Sequence, residues 1–599
     1  MLRPKSTSLL IASLLAACGG GGGGDTVGVC TPSATPAPGA ATASGPTLKE
    51  ITENVGSIGA PAVYADTNSV VPGGTIGFHA AVIGDSAADV YMEIRRVEES
   101  SPLFMRDLED VTPQDIPDNG WQDCCNWPLT YGFQVPDDWE SGLYVARFTT
   151  GFGASEVFFV VRAKEPGSTS RIVVSVPMTT AYAYNNWGGK SVYDYNSTGT
   201  SEEGGEGERA TMLSMSRPFA GNSRDKFTAW MPLFIDWAKK QDDPIRLEFI
   251  ANTDLHKHPG ILDPYHLFVT VGHDEYWSAE MRAELERHLD AGGNAALFSG
   301  NNMWWKIRFG EPDSLAPLGR MLVDKDDDFK EGVDDPELHE GHWFMVDPES
   351  RLLGASYARG GYRYDDAGDT PGFKVQDPND WVFAGTGLGK DDEFGSGNYI
   401  ISFESDGADF RWENTASGKV AVPTHTDGTP PGLKILALAE LGHGWQNDYY
   451  APGDSTYEAG KNLYTGEPGA WTTMVRYKHA GGGDVFNAAT VDWSYGLYDC
   501  KGSPTPECVI TRNVIDRLSE SPKSLPGEAP APAPEPAPAP APEPAPAPAP
   551  EPAPAPAPSP APSPAPSPAP SPSPAPTPAP APTPAPAPSP VPTPNQPDC

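Results

Sequence analysis

Hydrophobic positions change rhythm once along the chain, near Arg171. Before it, from about 48 to 165, short apolar runs alternate with turns. Residues 75–83 follow Pro72-Gly73-Gly74; Val90, Met92 and Ile94 alternate with Tyr91, Glu93 and Arg95; the runs 143–148 and 157–161 follow glycine-containing turns. A period of two between turn residues marks half-buried strands, so 48–165 predicts a small antiparallel, Ig-like β-sandwich. After Arg171 the β-branched run 172–176 leads through a long loop to a helical stretch at 230–240, with Leu233, Phe234 and Trp237 on one face. Strands follow at 246–250 and 266–271, then a helix at 278–289 between a Ser278 N-cap and a Gly292-Gly293 stop, then a strand at 295–299. Strands alternating with helices predict an α/β domain over 170–520 with a doubly wound, mostly parallel sheet. The stretch 310–430 is loop-rich and reads as an insertion. A strand at 434–439, a hairpin over 474–488 turning through Gly481-Gly482-Gly483, and a last helix at 510–518 complete the domain.

The two ends lack such patterns. Arg3 and Lys5 precede an apolar run at 9–17, too short to span a bilayer, so 1–17 reads as a signal peptide. Its end, Leu15-Ala16-Ala17-Cys18, resembles the lipobox of bacterial lipoproteins. That resemblance implies a lipid on Cys18 as the one membrane contact of an envelope-anchored chain, on the periplasmic or outer-surface side. Residues 18–47, glycines followed by a Pro/Ala stretch, predict a flexible tether. Residues 525–599, an Ala-Pro repeat, cannot bury a core and predict a disordered, PPII-like spacer.

Charge and cysteines narrow the partners. The chain carries 80 Asp plus Glu against 41 Lys plus Arg, a net charge of −39. Nucleic acid is excluded as a partner because phosphate binding needs a basic face. Cys500 and Cys508, across a Gly/Pro loop, predict a disulfide. Cys124 and Cys125 are neighbours that would bridge each other only with strain, so their partners, if any, are expected elsewhere.

In a doubly wound sheet, ligands bind beyond the carboxyl ends of the strands. The first strand runs into TTAYAYNNWGGKSVYDYN (179–196), the third into GHDEYW (272–277) and the fourth into SGNNMWW (299–305). These three segments are predicted to meet on one edge. His273 and Glu275, two apart, project to one side if strand geometry persists, with Asp274 opposite as a structural residue. An imidazole and a carboxylate at that spacing can share a metal or act as base and orienter. Tyr182, Tyr184, Tyr193 and Tyr195 add phenols. Ionising a free phenol at neutral pH costs roughly 4 kcal/mol, which a trivalent metal can offset; phenolate and carboxylate are hard donors that suit ferric iron better than zinc. The same tyrosines, with Trp187, Trp277, Trp304 and Trp305, could instead form a stacking surface, making the chain a displayed glycan-binding lipoprotein with a degenerate catalytic domain. His256 and His258, beside Pro259 and flanking charges, read as a solvated loop. Ser299 sits at a strand-to-helix turn, but SGNN is not GxSxG, so a covalent triad is not supported.

The segments AYNNWGGKSVYDYN, VGHDEYWS, GGNAALFSGNNMWW and DVFNAATVDW resemble the C-terminal domain of the N,N-dimethylformamidase large (beta) subunit. VPGGTIGFH and VPDDWESGLYVARF resemble the region preceding it in the same family, so the likeness spans roughly 50–520. It implies a class I glutamine amidotransferase-like fold and hydrolysis of amide C–N bonds. It further implies one ferric iron per site, held by two tyrosines and a glutamate, with a histidine close by. Carried onto this chain, Glu275 matches the carboxylate, His273 its neighbour, and Tyr184 one phenolate. Tyr193 is preferred to Tyr182 as the second, and Asn301 would either support the ligands from outside or orient the substrate. With the lipobox and the Pro-rich tail, the implied substrate is a small-molecule amide or an envelope-derived one.

Overall fold

The computed structural model describes residues 56–199, 207–220, 223–310, 318–323, 325, 341–365, 367–416, 418–446, 470–498, 500, 502 and 504–520. The signal peptide expected at 1–17, with Cys18, the tether at 18–47 and the tail at 525–599 lie outside the described residues.

The first layer pairs two sheets over one core. Pro61–Ala65, Thr75–Val82 and Tyr131–Gln134 form one, antiparallel throughout. The other runs in the order Ser69–Val70, Gly153–Val161, Gly142–Thr150, Ala88–Arg96, Phe104–Val111 and is antiparallel except for Ser69–Val70. Phe78, Phe148 and Phe159 interlock between the sheets with ring centroids 5.3 and 6.2 Å apart. Gly142–Thr150 is apolar on both faces for a reason. Tyr144, Ala146 and Phe148 face the sandwich core, while Leu143 and Val145, one residue out of phase, enter the core of the following region with Phe158 and Val160. A strand covered on both faces loses the polar alternation of a half-exposed one.

The main sheet has nine strands. In chain order they are β1 (Ile172–Val176), β2 (Glu248–Ala251), β3 (Leu267–His273), β4 (Asn294–Gly300), β5 (Phe373–Val375), β6 (Glu393–Phe394), β7 (Lys434–Leu441), β8 (Ala470–Lys478) and β9 (Asp484–Asn487). Across the sheet the order is β2-β1-β3-β4-β9-β8-β7-β5-β6. The first five in that order are parallel; from β9 to β6 every pairing is antiparallel. Four helices matter to the site's surroundings: α1 (Met178–Tyr184), α2 (Met231–Lys239), α3 (Ala279–Asp290) and α4 (Pro506–Ser519).

This architecture corrects the expectation of a doubly wound, mostly parallel α/β fold of the glutamine amidotransferase type. The protein is mostly β, 36% strand against 19% helix, in several mixed and antiparallel sheets. The connections explain the difference. The Gly481-Gly482-Gly483 turn joins β8 to β9 as a hairpin, and so short a link cannot make the crossover that parallel strands require. The stretch 310–430, expected as an insertion, supplies β5 and β6. It also contributes to a three-stranded sheet (Glu404–Gly407, Ser356–Arg363, Trp445–Gln446) and forms the hairpin Phe410–Thr415/Gly418–Pro423.

A second, five-stranded sheet decides where the site forms. Tyr276–Ser278 and Trp305–Gly310 pair in parallel within it, beside Gly341–His342, Arg320–Leu322 and Met212–Ser214. The chain therefore leaves β3 at His273 and β4 at Gly300, turns, and re-enters a different sheet a few residues later. Both turns lie at the carboxyl ends of parallel strands in register, His273 opposite Gly300.

The cysteine expectation divides. Cys500 pairs with Cys508, their Cα atoms 5.7 Å apart. Cys124 pairs with Cys125, not with a partner elsewhere. Both are buried in an apolar nest of Tyr64, Trp127 and Trp187, which no other described cysteine enters. No described helix is long and apolar enough to cross a membrane.

Candidate functional site

The two turns are held by α1. Thr179 Oγ1 donates to the Tyr276 carbonyl at 2.7 Å, and Thr180 Oγ1 accepts the Glu275 N–H at 2.9 Å. The first turn of α1 thus fixes the backbone of the carboxylate, and its last residue, Tyr184, sits one turn further along the same face. Gly272, at φ 80°, lets the chain bend under Trp230, where a Cβ would come within 2.8 Å of the indole. At the second turn, Asn301 and Met303 adopt left-handed conformations, with φ of 45° and 52°. Asp406 holds that turn through the Asn301 N–H at 2.8 Å and Asn302 Nδ2 at 3.2 Å.

A third segment arrives by backbone pairing. Asp406 N donates to the Ala489 carbonyl at 2.9 Å and Val491 N to the Glu404 carbonyl at 3.2 Å, just past the end of β9. Glu404 is thereby carried to the same edge as His273 and Asn301.

The side chains meet around His273, which is fully buried. Its Nε2 lies 3.1 Å from Tyr184 OH, 3.3 Å from Glu275 Oε2 and 3.0 Å from Glu404 Oε2. Tyr193 OH donates toward both Glu275 oxygens, at 3.1 and 3.0 Å, and accepts from Tyr276 OH at 2.7 Å. The rings of Tyr184 and Tyr193 lie 4.4 Å apart. Asn301 Nδ2 donates to Glu404 Oε2 at 3.2 Å. His273 Nδ1 and Asn301 Oδ1 are buried without a hydrogen-bond partner among the described residues. Two amines flank the group. Lys226 Nζ is 3.7 Å from the Tyr184 ring centroid and Lys325 Nζ is 3.6 Å from that of Tyr193.

Burial, reinforced by the Glu275 charge, pushes Tyr184, Tyr193 and Tyr276 well above the usual phenol range. Burial also opposes ionisation of Glu404, but His273, Lys226 and Asn301 outweigh it and hold that carboxyl below its usual range. Desolvation lowers Lys226 and brings Lys325 down to about 7, against the pull of Glu275. Every phenol is thus neutral unless a cation shares the space. A multivalent cation reverses that balance, since its charge deprotonates its own ligands.

Of the residues singled out in the sequence, Tyr184, Tyr193, His273, Glu275 and Asn301 come together. Tyr182 does not: it stacks on Phe219 with centroids 5.2 Å apart. Tyr195 is exposed on the outer side of Tyr193. Asp274 points elsewhere, accepting Asn252 Nδ2 at 3.0 Å, and burial raises its carboxyl to about 7. His256 lies on a short helix, Asn252–Lys257, not in a loop, and bonds Ser278 Oγ at 2.9 Å; His258 caps that helix. Ser299 is buried between Thr270 and Asn302, with no histidine among its partners. Trp187, Trp277 and Trp304 are buried and Trp305 is partly covered, so these four do not form an exposed stacking surface.

Sequence reasoning missed Glu404, Lys226, Lys325 and Tyr276. Tyr276 stood in GHDEYW but was read only as an aromatic; the other three carried no local signal.

The donor set fits ferric iron. Tyr184, Tyr193 and Glu275 supply hard oxygens from one buried cluster. Among the described residues no group of three or more His, Cys, Asp and Glu is arranged for a metal. A set of two phenolates and one carboxylate contains only one such side chain.

The family described as "N,N-dimethylformamidase beta subunit-like, C-terminal" matches residues 91–505. No curated protein matches the chain. Among solved structures, a cycloisomaltooligosaccharide glucanotransferase of Paenibacillus sp. complexed with cycloisomaltoheptaose is similar at 12% identity, covering 28% of this chain and 25% of its own, with a TM-score of 0.14. A likeness that slight carries no argument.

Proposed function

The chain belongs to the N,N-dimethylformamidase beta subunit-like family, and on that premise we propose that it is an iron-dependent hydrolase of amide C–N bonds. The observation that supports this most is the convergence of Tyr184, Tyr193 and Glu275 beside His273 and Glu404. Those three residues would hold one ferric ion, which when bound polarises an amide carbonyl or activates water.

The remaining groups do the proton work. With Nε2–H directed at Glu404 and Glu275, the acting nitrogen of His273 is Nδ1, which is unpartnered among the described residues. Nδ1 takes a proton from the attacking water as the water oxygen bonds to the carbonyl carbon, and returns it to the amine nitrogen as the C–N bond breaks. The products are a carboxylic acid and an amine. Glu404, 3.0 Å away, stabilises the imidazolium between the two transfers. Asn301 fixes Glu404 through Nδ2 and leaves Oδ1 to accept from a substrate N–H. Lys226 and Lys325, over the Tyr184 and Tyr193 rings, offset the charge of Glu275 and Glu404 when protonated.

The substrate class follows the family: a small-molecule amide, or an envelope-derived one if the lipid on Cys18 anchors the chain there. Purified full chain, loaded with ferric ion and given a panel of simple amides, is expected to release amine, and Glu275→Gln is not. Equal release by both would refute the assignment. Incorporation of labelled fatty acid by wild type but not by Cys18→Ser tests the anchor.

A further inference from the structure

Between Tyr184 and Tyr193 the chain makes a loop with little regular structure, yet the two phenols are held 4.4 Å apart. Arg217 is what the loop closes around. It is 1% exposed and lies at the end of a tight turn that begins at Ser214. All five guanidinium N–H groups have carbonyl acceptors within reach. Nε donates to Ser214 at 2.9 Å; Nη1 donates to Trp187 at 2.6 Å and Lys190 at 3.4 Å; Nη2 donates to Asn185 at 2.7 Å and Tyr182 at 3.4 Å. No carboxylate pairs with it among the described residues. Four of its five acceptors are backbone carbonyls of 182–190, the segment that carries one phenol and leads to the other.

The turn bearing Arg217 is itself anchored. Asn185 Nδ2 donates to the Pro218 carbonyl at 2.8 Å and Asn185 Oδ1 accepts from Ala220 N at 3.0 Å. Ser214 Oγ donates to the Cys124 carbonyl, and Cys125 N donates to Ser216 O at 3.0 Å. The buried Cys124–Cys125 pair therefore fixes one side of the turn while Arg217 fixes the loop on the other.

We propose that Arg217 is a positioning residue whose guanidinium templates the 182–190 backbone and so sets the relation of Tyr184 to Tyr193. Its bearing on iron rests on the function proposed above; its hold on the loop does not. A planar fork with five donors suits converging carbonyls, whereas a lysine ammonium offers three donors at a single point and cannot span them.

The test compares wild type with Arg217→Lys and Arg217→Ala in the metal-free full chain by hydrogen–deuterium exchange, followed by ferric titration read by phenolate-to-iron absorption. Amides of 182–193 are expected to exchange about tenfold faster or more in both variants, with Leu267–His273 and Gly142–Thr150 unchanged. Added guanidinium ion, but not ammonium, restores protection in Arg217→Ala. Ferric affinity is expected to fall about 10- to 100-fold. Unchanged exchange in 182–193, or a rise spread equally through the sandwich strands, would overturn the clamp. Faster loop exchange with undiminished ferric affinity would overturn the positioning role. If wild type itself bound no iron, the exchange arm would still decide the clamp, and the proposed function alone would fall.

Discussion

Tyr193→Phe separates a ligand from a hydrogen-bonding bystander, because Tyr276 provides the control. The substitution removes one oxygen and keeps the ring that packs on Tyr184 at 4.4 Å and under Lys325 at 3.6 Å. That oxygen donates to Glu275 at 3.0–3.1 Å and accepts from Tyr276 OH at 2.7 Å. In Tyr276→Phe only the last bond disappears, which in the metal-free protein is a neutral pair worth about 1 kcal/mol. In Tyr193→Phe the Tyr276 hydroxyl is left buried without its acceptor, which costs about 1–3 kcal/mol of stability, and one of three proposed iron ligands is gone. Loss of an outer partner of a metal ligand lowers affinity about 10- to 100-fold, so loss of a ligand is expected to exceed about 100-fold. The assay is ferric titration of metal-free protein, with visible absorption and bound iron measured on the same samples. Tyr276→Phe, which removes only an outer partner, is expected to lose about 10- to 100-fold in affinity while keeping the absorption and the stoichiometry, and Tyr193→Phe to lose both. Similar small effects of the two variants would refute Tyr193 as a ligand.

Three further predictions concern the polar groups around the site and the disulfide. The Glu404 carboxyl is depressed, so its contribution is present above the unfolded value of about 4.3 and is lost as pH falls through the folded value. Glu404→Gln is therefore expected to be less stable by about 1.5–3 kcal/mol at neutral pH, with the gap closing in acid; urea unfolding at several pH values, read by tryptophan fluorescence, would contradict this if the gap persisted. Glu349, raised to about 8 by burial, keeps its proton when folded after the unfolded chain has lost it, so wild-type stability falls as pH rises from about 4.3 to 8. Glu349→Gln cannot titrate, and its melting temperature relative to wild type is expected to rise across that window; a pH-independent difference would count against it. The Cys500–Cys508 bridge closes a loop with a sequence separation of 8. Replacing both with serine is expected to lower stability by about 2–3 kcal/mol, seen as an earlier thermal transition, and an unshifted melt would show that the bridge adds nothing.

The parts of the site that sequence pattern revealed are those attached to strong strands. β3 and β4 are buried along their whole length and mostly apolar through Val271 and Phe298, so the polar residues that end and follow them, in GHDE and SGNN, stand out at once. The same pattern cannot tell a parallel neighbour from an antiparallel one, and β7 to β9 turned out to be joined at least in part by a hairpin. Very short strands such as Glu393–Phe394 have no period to read. Glu404 was missed for a related reason: it arrives through pairing of Glu404 and Asp406 with residues just past β9, a contact between segments more than 80 residues apart. Lys226 reaches its phenol ring from the four-residue helix Asp225–Thr228 and Lys325 from a bend, and no spacing relates them to their targets. The Cys124–Cys125 pairing escaped because neighbours were expected to seek partners elsewhere, while burial against Tyr64, Trp127 and Trp187 isolates them together.

The most direct measurement is the iron content of the purified full chain together with its visible spectrum. The account predicts about one ferric ion per chain, held or taken up on titration, and a phenolate-to-iron absorption that disappears in Tyr184→Phe. A chain that neither retains nor takes up iron, or binds it without that absorption, would contradict a site built from Tyr184, Tyr193 and Glu275.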